Sequence, residues 1–365
     1  MNIRSLLTSL ILLLCLGLSS CIQDEPLYRE ADIESLMLPD SILVRTTIDV
    51  DKIEIILKNG TDIRNLAPEL RLSPGASVVP ESGTALDFSK KVVYTVTSED
   101  GNYQREYEIK IDFPKMKLKY DFEDWGEGGA AWKFPQYNDL LWSSANSGVA
   151  TAFLGKVSEY PTRSTTDAYS GEYAAEMKTI EGKKVIIVGY IPVFPGSFFT
   201  GSFQAVMSNP LKSTRFGQIH PQESGKPVAF NGYYKYQPGE VFIDKNGEIP
   251  GRVDKCSIYA ILFKVTKGEA GQTEYLDGIN IMNSDKVVAR AIWGDASAKP
   301  EYTYFTAPFE YSELLDYTVN DYKLALVFSS SRDGDRYEGA IGSTLIVDDV
   351  EVVCEEIIEI TEEKE

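Results

Sequence analysis

One stretch near the C-terminal end limits the fold more than any other: Ser343-Thr-Leu-Ile-Val-Asp-Asp-Val-Glu-Val-Val-Cys354. β-Branched residues dominate it, and a period of two puts Ile346, Asp348, Val350, Val352 and Cys354 on one face of a strand. Two adjacent carboxylates, Asp348 and Asp349, interrupt the apolar run. A carboxylate inside a strand costs stability unless it is solvated, hydrogen-bonded or metal-bound. A second strand-like, acid-studded segment stands far upstream, Leu118-Lys-Tyr-Asp-Phe-Glu-Asp-Trp125. The expectation is that these two segments are neighbours in one β-sandwich and that their acids share a structural role.

Composition bounds the rest. The chain has 365 residues, 43% of them hydrophobic, enough for two or three domains with packed cores. Its formal net charge of −19 argues against nucleic acid, which is bound by neutralising phosphates with Lys and Arg. The single histidine, His220, excludes a multi-histidine metal site. The four cysteines, Cys15, Cys21, Cys256 and Cys354, form no CxxC pair, so a zinc ribbon or a redox motif is out.

Residues 1–20 read as a targeting segment, with Arg4 at its start and an apolar run over 6–18. That run is too short for a comfortable membrane span. It ends in Leu18-Ser-Ser-Cys21, which resembles a bacterial lipobox, and the acids of Ile22-Gln-Asp-Glu25 resemble the surface-export signal of Bacteroidetes-type lipoproteins. The resemblance implies lipidation of Cys21, a membrane anchor through that lipid, and an outer-membrane lipoprotein exposed at the cell surface. Residues 21–31 then form a tether. Cys256 and Cys354 are left either to bridge or to serve as small buried hydrophobes.

Residues 32–113 read as a small β-sandwich of immunoglobulin-like size and rhythm. Strands are expected over 41–50, 52–57, 92–97 and 104–111, with a short one closing at Leu70-Arg-Leu-Ser-Pro-Gly75. Asn59-Gly60 and Ser98-Glu-Asp-Gly-Asn102 are hairpin-turn signals. The stretch Ser77-Val-Val-Pro-Glu-Ser-Gly-Thr-Ala-Leu-Asp-Phe-Ser89 and the strand after it resemble the immunoglobulin-like spacer that precedes carbohydrate-related domains in gut-bacterial surface lipoproteins.

Phe113-Pro-Lys115 serves as a linker, because proline cannot pair inside a central strand. In the second domain, 116–356, Trp125, Trp132 and Trp142 crowd one glycine-rich region. Trp132, Tyr137 and Trp142, with Asn138, form a candidate glycan contact, since indole and phenol faces stack on sugar C–H faces. The alternative is that these aromatics cover the end of the sandwich, and for Trp125 that reading is preferred. Tyr233 and Lys235 are expected to point away from Tyr234 and Tyr236 along one strand. Arg215, His220 and Lys235 could donate to a sugar, against an ion pair, a loop residue and a solvated stem respectively. Asp333-Gly-Asp335 has too few ligands for an EF-hand and reads as a solvated turn. Residues 357–365 are an acidic tail.

Tyr169-Ser-Gly-Glu-Tyr-Ala-Ala-Glu-Met177 resembles the Ser-Gly signature of carbohydrate-binding modules with a jelly-roll sandwich, with Phe122-Glu123 opening and Asp348-Asp-Val350 closing it. That resemblance implies a structural calcium, for which Asp121, Glu123 and Asp348 are the candidate ligands. The alternative is that these acids bond backbone amides without a metal. The stretches Pro195-Gly-Ser-Phe-Phe-Thr-Gly-Ser-Phe203, Arg215-Phe-Gly-Gln-Ile-His-Pro221 and Lys226-Pro-Val-Ala-Phe-Asn-Gly-Tyr-Tyr-Lys-Tyr-Gln-Pro-Gly239 resemble the family called "putative carbohydrate metabolism domain". It implies association with glycans and supplies no catalytic residues.

The expected fold is therefore all-β, an immunoglobulin-like β-sandwich followed by a larger jelly-roll sandwich like a carbohydrate-binding module. The expected role is a surface lipoprotein that binds a polysaccharide or oligosaccharide. A glycoside hydrolase and a structural subunit of a surface assembly are the alternatives. No GxSxG, P-loop or HExxH pattern occurs. The catalytic residues of a hydrolase are not legible: Asp277, Asp295 and Glu310 are candidates with none privileged.

Overall fold

The computed structural model describes residues 27–355 apart from 40, 59–60, 114–116, 186–188 and 207. The targeting segment, Cys21, the Asn59-Gly60 turn, Pro114-Lys115 and the 357–365 tail lie outside the described residues. The chain divides near residue 112 into two compact units, and both are built of antiparallel strands.

The first unit carries a five-stranded sheet in the order Leu43–Ile48, Lys52–Leu57, Gln104–Asp112, Val92–Thr97 and Ser77–Val79. Ile33–Met37 pairs with Glu69–Leu72 in a separate ribbon. Alternation decides which side chains go inside: Ile53 and Ile55 from one strand, Tyr94 and Val96 from another, Tyr107 and Ile109 from a third are all buried.

The second unit is a two-sheet sandwich. The larger sheet runs in the order Trp142–Ser144, Ser197–Phe203, Asn320–Ser329, Ser257–Thr266, Val287–Ile292 and Glu310–Tyr311. Thr214–Phe216 and Gln218–Ile219 pair along its flank. The facing sheet runs Thr162–Thr165, Ala174–Lys178, Thr344–Glu355, Lys226–Gln237 and Lys299–Pro308. Between them lies the main core, in which Phe198, Ile258, Leu326 and Phe328 pack with Phe230, Tyr234, Phe305 and Val347. Burying one such side chain is worth about 1.5–3 kcal/mol, so this interface dominates the stability of the unit. Tyr234 and Tyr236 go inward while Tyr233 and Lys235 stay half-buried outside, as the alternation predicts.

The two acidic segments meet. Lys119–Tyr120 pairs with the closing strand, Tyr120 opposite Val350, and the Val352 amide donates to the Leu118 carbonyl at 2.7 Å. Two details differ from the sequence reading. The upstream strand stops at Tyr120, because Phe122 takes a left-handed conformation with φ 51°, and pairing resumes only at Trp125–Gly128. The closing strand also changes phase. Tyr233 faces Asp348 and Asn231 faces Glu351, so Asp349 and Val350 together stand opposite Gly232. Asp349 absorbs the bulge at φ 45°. Leu345 and Val347 before it, and Val350 and Val352 after it, therefore join the shared core, and Ile346 does not. Gly232 is required there, since a Cβ would lie 2.8 Å from both Val350 and Phe305. Cys256 and Cys354 are free thiols, each pushed above its usual range by burial, to about 12 and about 11.

Candidate functional site

The outer face of the larger sheet carries a groove with a cavity of about 550 Å³, within the roughly 300–1,000 Å³ range of small-molecule sites. Its floor comes from three central strands in register. Ser197, Ser329 and Ser257 lie side by side in one row. Phe199, Val327, Tyr259 and Ile292 form the next row on the same face. Further along that face, Phe216, Ile261, Phe263 and Leu276 close with Phe199 and Val327 into a second small core, which ends the groove.

Three walls rise from this floor. One is the short helix Asn146–Ala152, which presents Gly148 and Val149. Gly148 leaves room for the Phe203 ring, which a Cβ would meet at 2.9 Å. The fully buried Asn146 anchors this helix by donating to the carbonyls of Pro135 at 3.0 Å and Thr162 at 2.7 Å and accepting from the Thr162 amide at 3.2 Å. The second wall is the hairpin of Ile180–Val185 and Gly189–Phe194, whose Ile191 and Phe194 pack on Val149. The third is the loop between Ser329 and Gly339, which carries Arg332, Asp335 and Tyr337.

That loop is held from below by a buried polar knot. Asp254, 2% exposed, accepts from Ser331 Oγ at 2.6 Å, Ser343 Oγ at 2.7 Å and the Ala340 amide at 2.8 Å through one oxygen. Its other oxygen accepts from the Lys255 amide at 2.8 Å. Thr179 bonds both Ser331 and Ser330 hydroxyls, at 2.6 and 2.7 Å. On the outside, Arg252 pairs with Asp333 at 2.6 Å and Glu338 at 3.3 Å and lies over the Phe242 ring.

The chemistry of the groove is lopsided. Among the described residues that line it, Asp335 is the one carboxylate. It stands at the open rim, and crowding by protein atoms pushes its carboxyl above the usual range, with Arg336 opposing. The Tyr259 phenol is also pushed up, first by burial and then by the Asp335 charge. That is the opposite of what an activated nucleophile needs. Asp277, Asp295 and Glu310 do not line the groove. Asp277 caps a turn at the Ile279 amide, Asp295 is held below its usual range by Lys299 and Ser297, and Glu310 is exposed on an edge strand.

The residues singled out in the sequence go elsewhere. Tyr137 and Trp142 are 5% and 4% exposed and belong to the main core, where Trp142 stacks on Phe198 at 4.4 Å and both rings meet Phe122 edge-on. The expected platform is corrected on that ground: rings buried against other rings cannot receive a sugar. Trp125 is half-buried, stacks on Phe198 and donates its indole N–H to the Phe122 carbonyl. Trp132 is 36% exposed and lies against Gly155. Asn138 bonds Asp124 at 2.8 Å. Arg215 lies over the Tyr275 ring at 5.1 Å and is not among the groove residues. His220 is 1% exposed, its Nε2 bonds the Gly225 carbonyl at 2.7 Å, and burial lowers its pKa, so it is a structural residue that no ligand reaches. Lys235 pairs with Asp167 at 2.6 Å.

The acids expected to hold calcium are engaged by backbone amides. Asp348, fully buried, accepts the Tyr169 and Ser170 amides at 2.8 and 3.1 Å and the Asp349 amide at 2.8 Å. Glu123 accepts the Glu172 and Tyr173 amides at 3.0–3.3 Å. Asp121 accepts only the Glu123 amide, at 3.4 Å. N–H dipoles aimed at these oxygens repel a cation, and among the described residues no three His, Cys, Asp or Glu side chains gather as metal ligands. The acids instead fasten the Tyr169–Tyr173 turn to both ends of the domain, with Gly171 at φ 66° making room for Glu123.

A family model described as "Putative carbohydrate metabolism domain" matches residues 112–353, and one described as "SGBP, N-terminal", the start of bacterial surface glycan-binding proteins, matches residues 35–111. The chain is similar to the crystal structure of a putative glycoside hydrolase from Bacteroides thetaiotaomicron, at 34% identity and TM-score 0.60, over 92% of this chain and all of that one. It is also similar to one from Bacteroides vulgatus, at 28% identity and TM-score 0.55, over 65% of this chain and 98% of the other. No curated protein matches.

Proposed function

We propose that the protein captures glycans at the bacterial surface, and the premise is its kinship: the chain belongs to the putative carbohydrate metabolism domain family, behind an N-terminal domain of the surface glycan-binding type. The larger domain holds the saccharide in the groove on its outer sheet face. The first domain spaces it from the membrane, to which a lipid on Cys21 anchors the chain.

One observation carries the choice of binding over cleavage: among the described residues, a single carboxylate, Asp335, lines the groove. Most glycoside hydrolases work with two carboxyl groups across the scissile bond, one as acid and one as base or nucleophile. Tyr259, on the floor, is held protonated rather than activated. The groove does offer what recognition needs, namely rings at Phe203 and Tyr259 for sugar C–H faces, with serine hydroxyls and Arg332 for sugar oxygens. Hydrolysis stands as the second reading, because both similar crystal structures bear that name and the raised carboxyl of Asp335 suits a general acid.

The test is a glycan array with the full-length protein, followed by a reducing-end assay on each hit. Retention without new reducing ends, weakened by Tyr259→Ala and by Arg332→Ala, is the expected result. Release of reducing ends that Asp335→Asn abolishes establishes the hydrolase. Retention indifferent to both groove variants removes the groove from the account.

A further inference from the structure

The turn that the acids fasten also aims a side chain. Asp348 holds the Tyr169 and Ser170 amides, Asp349 accepts from Ser170 Oγ at 2.9 Å, and Glu123 holds the Glu172 and Tyr173 amides. These bonds fix the Tyr169 ring where it stacks on Tyr233, at 3.6 Å with 12° between the planes. Tyr233 stands opposite Tyr304 on the neighbouring strand, and their rings lie 5.3 Å apart. Tyr302 meets Tyr169 edge-on at 5.6 Å and donates its hydroxyl to the Asp167 carbonyl at 2.6 Å. Tyr234 and Phe305, the intervening residues, point into the main core. The four tyrosines therefore form one cluster on the outer face of the smaller sheet, across the sandwich from the groove.

Rings that only braced the turn would be covered by it. Tyr169 is instead 45% exposed, although Tyr233 covers one of its faces, and Tyr304 is 50% exposed on a separate strand. Rings already held in place lose little freedom when a ligand arrives, and tyrosine offers an apolar face beside a hydroxyl. The charges around them narrow the ligand. Lys235 is paired with Asp167 at 2.6 Å and lies over the Tyr302 ring at 4.8 Å, so its charge is already met. Asp349, half-buried, and Glu172, exposed, adjoin Tyr169 in the turn, and together they repel an anion while their oxygens can accept from hydroxyls. We infer that the Tyr169–Tyr233–Tyr304 cluster is a second saccharide contact, and that it takes a neutral polysaccharide. Pyranose C–H faces lie on the exposed parts of Tyr169 and Tyr304, with hydroxyls directed to Asp349 and Ser170. The inference rests on the protein's being a saccharide binder and is independent of the groove. Two contacts on opposite sheet faces hold separate segments of a polymer, which raises avidity without a new interaction at either one.

The test is affinity electrophoresis of the full-length protein through gels containing xyloglucan, galactomannan, laminarin or dextran, with polygalacturonate as the anionic arm. At least one neutral polymer should retard the protein. Tyr304→Ala, at an exposed position that tolerates truncation, and Tyr169→Ala should each weaken that retardation about ten-fold or more, the size of loss at an aromatic anchor. Tyr169→Phe keeps the ring and should keep the binding. Retardation that Tyr304→Ala leaves unchanged, a loss in Tyr169→Phe as large as in Tyr169→Ala, or strongest retardation by polygalacturonate overturns the inference. Loss in Tyr259→Ala alone overturns it and leaves the groove reading standing. Loss in the Tyr169 and Tyr304 alanine variants alone, with Tyr259→Ala unaffected, supports it and counts against the groove. No retardation in any gel overturns it and assigns the exposed rings to a protein partner, while the groove reading is still decided by its glycan array.

Discussion

Replacing Asp254 with alanine should loosen the groove loop at a cost that can be worked from its contacts. The carboxylate receives four hydrogen bonds, from Ser331, Ser343, Ala340 and Lys255. Not all of them are lost without replacement. Ser331 keeps Thr179, Ser343 keeps the Gly239 amide at 2.9 Å as its donor, and the exposed Lys255 amide can reach water. The Ala340 amide belongs to a residue with 0% exposure and has no such recourse. One orphaned buried N–H costs about 1–3 kcal/mol, and each weakened hydroxyl adds a fraction of that, while relief of a buried carboxylate works the other way. The net loss should be about 2–4 kcal/mol, and Asp254→Asn, which keeps one acceptor, should lose about half as much. Guanidinium unfolding followed by tryptophan fluorescence isolates the effect, because Trp125, Trp132, Trp142 and Trp293 all lie beyond residue 112 in the second unit. Saccharide affinity should fall further than stability alone explains, since the loop carries Arg332, Asp335 and Tyr337. A loss below about 1 kcal/mol, or unchanged saccharide binding in the folded variant, would refute the positioning role.

Three further outcomes follow from the acid-bearing turn. Burial raises the Asp348 carboxyl to about 6, against an ordinary value of 3.8, with its backbone hydrogen bonds opposing. A folded-state value above the unfolded one means that stability is fully present below about 3.8 and is lost as pH rises through about 6. The stability difference between wild type and Asp348→Asn should therefore shift by about 2 kcal/mol against the wild type between pH 4 and pH 7, and a flat difference excludes the mechanism. Gly171→Ala should cost about 1–2 kcal/mol more than Gly342→Ala. Both glycines sit at positive φ, but a Cβ at Gly171 would lie 1.8 Å from Glu123, while Gly342 has open space. A chelator should leave the melting temperature unchanged, and a drop of several degrees reversed by calcium would restore the metal that the amide donors argue against.

The pairing of the two acidic segments was legible because a β-branched run with carboxylates at fixed places has few other destinations. Its phase was not. A bulge inserts one residue at Asp349, and aspartate enters the left-handed region at little cost, so alternation carries no mark of it. Trp142 and Tyr137 misled for a related reason. Aromatics in a glycine-rich segment suit an exposed loop and a core equally, and here Phe122 and Phe198 supplied the ring partners that decided it. Tyr259 could be placed on the outward face of its strand by the period of two. Nothing local shows that the Asn146–Ala152 helix and the 330–338 loop come together above it, because that depends on contacts such as Asn146 to Thr162 and Asp254 to Ser343, far apart in sequence. His220, the lone histidine, drew attention as a sugar donor and proved to be a buried brace.

The most direct test of saccharide capture in the groove is a crystal structure of the full-length protein with its tightest array ligand bound. Sugar rings should lie over Phe203 and Tyr259, with hydroxyls directed to Ser197, Ser257 and Ser329. Saccharide density on Trp132 or on the first unit, with the groove holding only solvent, would contradict it.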